Sequence, residues 1–296
     1  MKIFITGANG FLGQHLVTFL ANLNYEVIAS GRNNSVFTNY PTIQYVNLEL
    51  TNEQAVNLVL HKYQPHFIIH AAAMSKPNEC EVEKEECILN NVTATEYVVK
   101  AANTVGAKVI YISTDFVFGE GGPHAETDIP APLNFYGKSK LLAEQIVQSN
   151  SSDSVIMRPV FIYGQLQPSM KPTFLHWVKN ILSEGKKIKL VSDQLRTPTY
   201  VTDLCKGIAA MIQKNVIGIY HLAGSEIISP FQMAVTVAEV LKLDKNLIEN
   251  VTSDTFHEPV VRAKKSGLII SKAQLELGYQ PIAFTEGVRL SFSDVI

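Results

Sequence analysis

Cysteine is scarce in this chain. The three present, Cys80, Cys87 and Cys205, are an odd number without C-x-x-C spacing, which argues against a disulfide scaffold or a zinc knuckle and for a reduced, cytoplasmic setting. No apolar stretch of about 20 residues occurs, so no membrane span is expected. The N-terminus runs straight into Lys2-Ile3-Phe4-Ile5-Thr6 without the basic, apolar and small-residue segments of a secretory signal. Basic residues are neither in excess nor concentrated: 25 Lys plus Arg face 27 Asp plus Glu, a formal net charge of -2. A nucleic-acid or membrane-surface partner is therefore not expected. Tryptophan occurs once, as Trp177, where packing and stacking on a base are both open. Internal repeats and low-complexity tracts are missing. What is present is the balance of a globular enzyme, 46% hydrophobic and 18% charged over 296 residues, enough for one large α/β domain with a smaller lobe.

Short apolar runs alternate with amphipathic stretches through the first half, the pattern of βα units feeding a parallel sheet. Strands are predicted at 3–6, 26–29, 44–47, 67–70, 109–113 and 155–158, each rich in β-branched or aromatic residues. Helices are predicted at 11–23, 53–63, 84–104 and 135–149. Right-handed crossovers then give a doubly wound Rossmann sheet with helices on both faces. Beyond Arg158 the rhythm breaks at Pro159, Pro168, Pro172 and Pro198. A helix at 201–212 and a strand at 217–222 mark a return before the chain leaves again near Ser229. The expected division is residues 1–160 plus about 200–224 for a dinucleotide-binding domain, and about 161–199 plus 225–296 for a smaller, discontinuous α/β substrate lobe.

The first strand runs into Thr6-Gly7-Ala8-Asn9-Gly10-Phe11-Leu12-Gly13 and then a helix. Glycines so placed allow a tight turn, close approach of backbone to a pyrophosphate, and close helix packing, with the helix N-terminus favouring the phosphate charge. After the second strand an NAD-binding chain usually carries Asp or Glu for the ribose hydroxyls; here stands Ser30-Gly31-Arg32. A hydroxyl and a guanidinium suit a ribose 2′-phosphate, so NADP(H) is expected in preference to NAD(H). The alternative reading of Arg32 is a solvated loop residue.

In Tyr136-Gly137-Lys138-Ser139-Lys140, Tyr and Lys four apart on a helix project from one face. A neighbouring ammonium is expected to lower the phenol from its ordinary range, near pH 10. Ser113-Thr114-Asp115 closes a strand, so the Thr114 hydroxyl is expected at the carboxyl edge of the sheet, where it could polarise a carbonyl. His61, His66 and His70 lie near the fourth strand without a third ligand at metal spacing; structural roles, and no metal site, are expected.

Together the glycine loop, the strand-end hydroxyls and Tyr136 with Lys140 resemble the extended short-chain dehydrogenase/reductase superfamily. Matching stretches run from Ala71-Ala72-Ala73 and Asn91 through Arg158-Pro159 and Tyr163-Gly164 to Pro198-Thr199-Tyr200-Val201 and Asp203-Leu204. Within it the chain looks most like the dTDP-4-dehydrorhamnose reductases, through 113–118, Tyr220-His221-Leu222-Ala223-Gly224 and 262–272. The resemblance implies that Tyr136 protonates the oxygen of a 4-keto sugar nucleotide while NADPH delivers hydride. It implies that Lys140 binds the nicotinamide ribose and lowers the tyrosine pKa, that Thr114 holds the carbonyl, and that Asn91 supports the site. Glu49 and Leu50 would border the adenine, Ala71, Ala72 and Ala73 would line the cofactor channel, and Asp115 and Phe161 would face substrate. Departures stand at Phe11-Leu12-Gly13, where the reductases usually carry Gln-Leu-Gly, at Glu49, where an Asp is usual, and at Arg262-Ala263, where Arg-Pro is usual. Asp115 followed by Phe116 disfavours dehydration. An epimerase with tightly bound NAD, or a cofactor-binding regulatory subunit without turnover, stays open, as does a homodimer.

Overall fold

A computed structural model of the chain describes residues 1–293 except 39, 41, 152, 168, 169, 257 and 258, so Pro168 lies outside the described residues. Its centre is a seven-stranded sheet of β1 (Lys2–Thr6), β2 (Glu26–Gly31), β3 (Gln44–Asn47), β4 (Phe67–His70), β5 (Lys108–Ile112), β6 (Val155–Pro159) and, after the short β7 (Ile162–Tyr163), β8 (Ile188–Val191) and β9 (Thr199–Tyr200), the last sheet strand β10 (Gly218–Leu222). The spatial order is β10-β6-β5-β4-β1-β2-β3, every pair parallel. The order reverses between β1 and β4, which opens a crevice at their carboxyl ends.

Alternation along β1 shows why the strand reads as a continuous apolar run. Ile3 and Ile5 enter a core on one face with Leu16, Val17 and Leu20 of α1 (Phe11–Asn22) and Ile208 and Met211 of α8 (Val201–Lys214). Phe4 enters the core of the opposite face with α2 (Glu53–Tyr63), α5 (Ala94–Val105) and α6 (Phe135–Asn150). A parallel strand covered on both faces needs apolar side chains on both, and each such side chain, fully buried, stabilises the fold by roughly 1.5–3 kcal/mol. The doubly wound α/β sheet expected from the sequence is therefore present.

The expected single helix over 84–104 is different in detail. A separate α3 (Pro77–Val82) precedes it, and the helix itself is α4 (Lys84–Ile88), a π-turn at Leu89–Thr93, and α5.

The smaller lobe has its own core, in which Tyr163 meets Leu175 and Val178 of α7 (Phe174–Ser183), Met233 and Val237 of α9 (Pro230–Val240), and Phe284 and Val288 of α11 (Phe284–Ser291). Beside them β8 pairs in parallel with β11 (Ile248–Val251). Helix α9 begins with Pro230 in its first turn and a reciprocal Ser229–Gln232 capping box. The C-terminal stretch is shared between the cores, since Ala273 and Leu277 of α10 (Ser271–Leu277) join the core of α1 and α8. Among the described residues no helix is long and apolar enough to cross a membrane.

Candidate active site

One cleft of about 650 Å³ follows the carboxyl ends of β1 to β6. Gly7, Gly10, Phe11, Leu12 and Gly13 line it after β1, Ser30 and Arg32 at β2, Glu49 and Leu50 after β3, and Ala71, Ala72 and Ala73 after β4. Thr114 and Asp115 follow β5, Tyr136 and Lys140 face it from α6, and Phe161 follows β6. The sequence-predicted positions thus come together in one place.

At the end where β1 meets α1, Gly7 has φ +67° and a Cβ there would stand 2.7 Å from Ala72 N, so only glycine lets this turn lie against the backbone after β4. Helix α1 starts at Gly10 with no side-chain cap and no acidic residue in its first turn. Its first amides and the positive end of its dipole are left for an anion. Ser30 Oγ is buried and has no hydrogen-bond partner among the described residues, while Arg32 beside it is exposed. A cradle of backbone donors, an orphaned hydroxyl and an adjacent guanidinium fit a dinucleotide with a ribose 2′-phosphate.

At the other end, Asn134 caps α6 by accepting from Gly137 N at 2.9 Å. Gly137 permits close contact of that helix with the turn after β5, because a Cβ there would overlap Phe116 O. This approach brings Tyr136 against Phe116, ring centroids 5.5 Å apart, and its phenol to hydrogen-bonding range of Thr114. The Thr114 hydroxyl accepts from Phe116 N and donates to Asp115 Oδ1, both at 3.2 Å. Lys140 Nζ donates to Ile112 O at 2.8 Å and stands 4.1 Å from the Tyr111 ring centre.

Burial sets the titration of this group. It pushes Lys140 down to about 7, partly opposed by the Glu144 carboxylate, because an ammonium is penalised where water is excluded. It also pushes the Tyr136 phenol up from its ordinary value; the Thr114 hydrogen bond opposes this and the Asp115 carboxylate adds to it. The expectation that a neighbouring ammonium lowers the phenol is thus reversed in this structure: desolvation wins, and the phenol holds its proton. Asp115 is raised as well, by burial first, against the pull of Arg196 and hydrogen bonds from Thr114 and Ser266.

Behind the phenol lies a buried network. Asn91, at the centre of the π-turn, accepts from Met74 N at 2.7 Å and donates to Met74 O at 3.1 Å and to Ser139 Oγ at 3.0 Å. Ser139 in turn donates to Tyr136 O at 2.8 Å. The widened turn lets one side chain serve both the strand-four loop and α6, a common use of π-turns near functional sites. Cys80 and Cys87 are buried, reduced and packed with Tyr136. His70 is structural, as expected: its ring is 2.7 Å from Thr6 Oγ1 and 3.0 Å from Thr95 Oγ1, and burial lowers it to about 3.

Several lining residues were not anticipated: Asn9, Asn33, Asn90, Phe116, Thr173 and Arg196. Arg196 is buried, its guanidinium 5.9 Å from the Phe161 ring. Phe161 holds φ +36°, a strained value for an aromatic residue that marks a position fixed by its surroundings. Asn9 could have been suspected from its place inside the glycine loop, whereas nothing local distinguishes Arg196. Trp177 packs on Phe174, ring centroids 5.9 Å apart, and is not part of the cleft lining.

The family model described as RmlD substrate binding domain matches residues 1–296. The chain is 30% identical to methionine adenosyltransferase 2 subunit beta of Mus musculus, over 98% of this chain and 86% of that protein. It is also 30% identical to the spore coat polysaccharide biosynthesis protein SpsK of Bacillus subtilis, over 97% and 95%. A crystal structure of dTDP-4-dehydrorhamnose reductase from Bacillus anthracis in complex with NADP is similar with a TM-score of 0.88 at 29% identity, covering 99% of each chain.

Proposed function

The chain belongs to the RmlD substrate binding domain family, and from that premise we propose that it is an NADPH-dependent oxidoreductase that reduces a 4-keto sugar nucleotide. The observation that carries this reading is a buried phenol, Tyr136, held in its protonated form beside Thr114 and Lys140, at the rim of a cleft whose other end is an uncapped helix N-terminus. The NADP complex of the Bacillus anthracis reductase supports the choice of cofactor.

In this reading Gly7, Gly10, Phe11, Leu12 and Gly13 receive the pyrophosphate, and Ser30 and Arg32 the 2′-phosphate. Glu49 and Leu50 border the adenine, and Ala71, Ala72 and Ala73 line the channel between. NADPH, when bound, supplies a hydride to the carbonyl carbon. Thr114 holds the carbonyl oxygen by hydrogen bonding, and Tyr136 gives that oxygen the proton that completes the alcohol. A phenol raised by burial suits this direction, since an acid must still carry its proton when the oxyanion develops. Lys140 orients the nicotinamide ribose, and Asp115 and Phe161 face the sugar.

The test is NADPH oxidation by the purified protein with nucleotide-linked 4-keto sugars, dTDP-4-dehydrorhamnose first among them. Turnover that requires the nucleotide-linked sugar supports the reading, and turnover of simple aldehydes or ketones alone contradicts it. A second reading, a cofactor-binding subunit without turnover, is favoured by the 30% identity to a protein named as a methionine adenosyltransferase subunit. In that case NADP would bind and Tyr136→Phe would change nothing measurable. The intact Thr114, Tyr136 and Lys140 set supports the enzyme.

A further inference from the structure

We propose that Tyr45, together with Asn9, determines cofactor specificity by pre-forming the loop that receives the ribose 2′-phosphate; this rests on the NADP reading above. Loop 31–34 leaves β2 with Arg32, Asn33 and Asn34 all exposed, the circumstance in which a chain segment is usually mobile and must be ordered by its ligand at a cost in affinity. Here two of its carbonyls are already tied, as is that of Ser30 in β2 just before it. Ser30 O accepts from Ala8 N at 2.9 Å, Asn33 O accepts from the Tyr45 phenol at 2.6 Å, and Asn34 O accepts from Asn9 Nδ2 at 3.0 Å. The same Asn9 amide donates to Tyr45 Oη at 2.9 Å, so both of its hydrogens are used in one closed set of bonds.

Two consequences follow from that set. The donors come from the glycine loop and from β3, two rigid elements, so the segment carrying Arg32 is fixed before any ligand arrives. The bonds also draw off partial negative charge from the Asn33 and Asn34 carbonyls, which would otherwise disfavour an anion beside Arg32. Asn9 belongs to the glycine loop, where its own carbonyl accepts from Gln14 Nε2 at 2.9 Å. It therefore couples the pyrophosphate end of the site to the 2′-phosphate end. Neither residue needs to touch the phosphate; both are positioning residues acting through Arg32.

Isothermal titration of NADP+ and NAD+ with wild type, Tyr45→Phe, Arg32→Ala and the double variant tests this without turnover. Tyr45→Phe keeps the ring and removes both hydrogen bonds, and is expected to weaken NADP+ about tenfold while NAD+ changes less than about twofold. In the Arg32→Ala background the same change is expected to have no further effect on NADP+. Equal weakening of both dinucleotides, no change in either, or effects of Tyr45→Phe and Arg32→Ala that simply add would overturn the proposal. Asn9→Ala provides a second variant should Tyr45→Phe not fold, with the same selective loss expected. A wild-type protein that does not favour NADP+ sinks the cofactor reading itself, whereas a wild-type preference left intact by Tyr45→Phe sinks this inference alone.

Discussion

Lys140 Nζ donates to the Ile112 carbonyl at 2.8 Å, which fixes an amine from α6 beneath the carboxyl edge of β5. Burial lowers this amine from 10.5 to about 7. Between those values the unfolded chain holds a proton that the folded chain has released, so the contribution of Lys140 to stability rises with pH across the window. Below it both states are protonated and the penalty is complete. Lys140→Met removes this dependence. Chemical denaturation should show the stability difference, variant minus wild type, most positive near pH 6.5 and falling toward about pH 9.5. A difference that is flat with pH contradicts the lowered amine.

Glu144 of α6 accepts from Arg158 of β6 through both carboxylate oxygens, at 2.9 and 2.6 Å, and both side chains are 2% exposed. Replacing Glu144 with Ala leaves a guanidinium buried with its charge uncompensated. The expected loss is about 3–5 kcal/mol, measured by denaturant unfolding. A loss under about 1 kcal/mol would mean that water reaches Arg158.

Asn91→Ala should act on rate and stability together. It strips partners from Met74 N, Met74 O and Ser139 Oγ, at a cost on the order of 2 kcal/mol. Because Ser139 is bonded to the Tyr136 carbonyl, kcat should fall about tenfold or more as the phenol loses its placement. An unchanged kcat in a destabilised protein would show that the network only holds the fold.

The legible parts of the molecule were those whose signal is local. Strands such as Phe67–His70 and Lys108–Ile112 were readable because a strand buried between helix layers must be apolar on both faces. The glycine loop and the Tyr136–Lys140 pair were readable because their spacing is itself the chemistry. The π-turn was not, since Leu89–Thr93 carries no break signal and owes its shape to Asn91 reaching Met74 and Ser139, partners 17 and 48 residues away. Arg196 was equally silent, because only the fold brings it to Phe161 and Asp115. The direction of the Tyr136 shift was misjudged for the same reason: spacing revealed a nearby ammonium, but burial depends on everything packed around the ring.

The most direct test of the central claim is the rate of NADPH oxidation with dTDP-4-dehydrorhamnose by wild type and Tyr136→Phe, paired with NADP+ affinity for both. The account predicts turnover in wild type, a fall of about 10²-fold or more in the variant, and a similar dinucleotide affinity in each. Equal rates in the two proteins would contradict it.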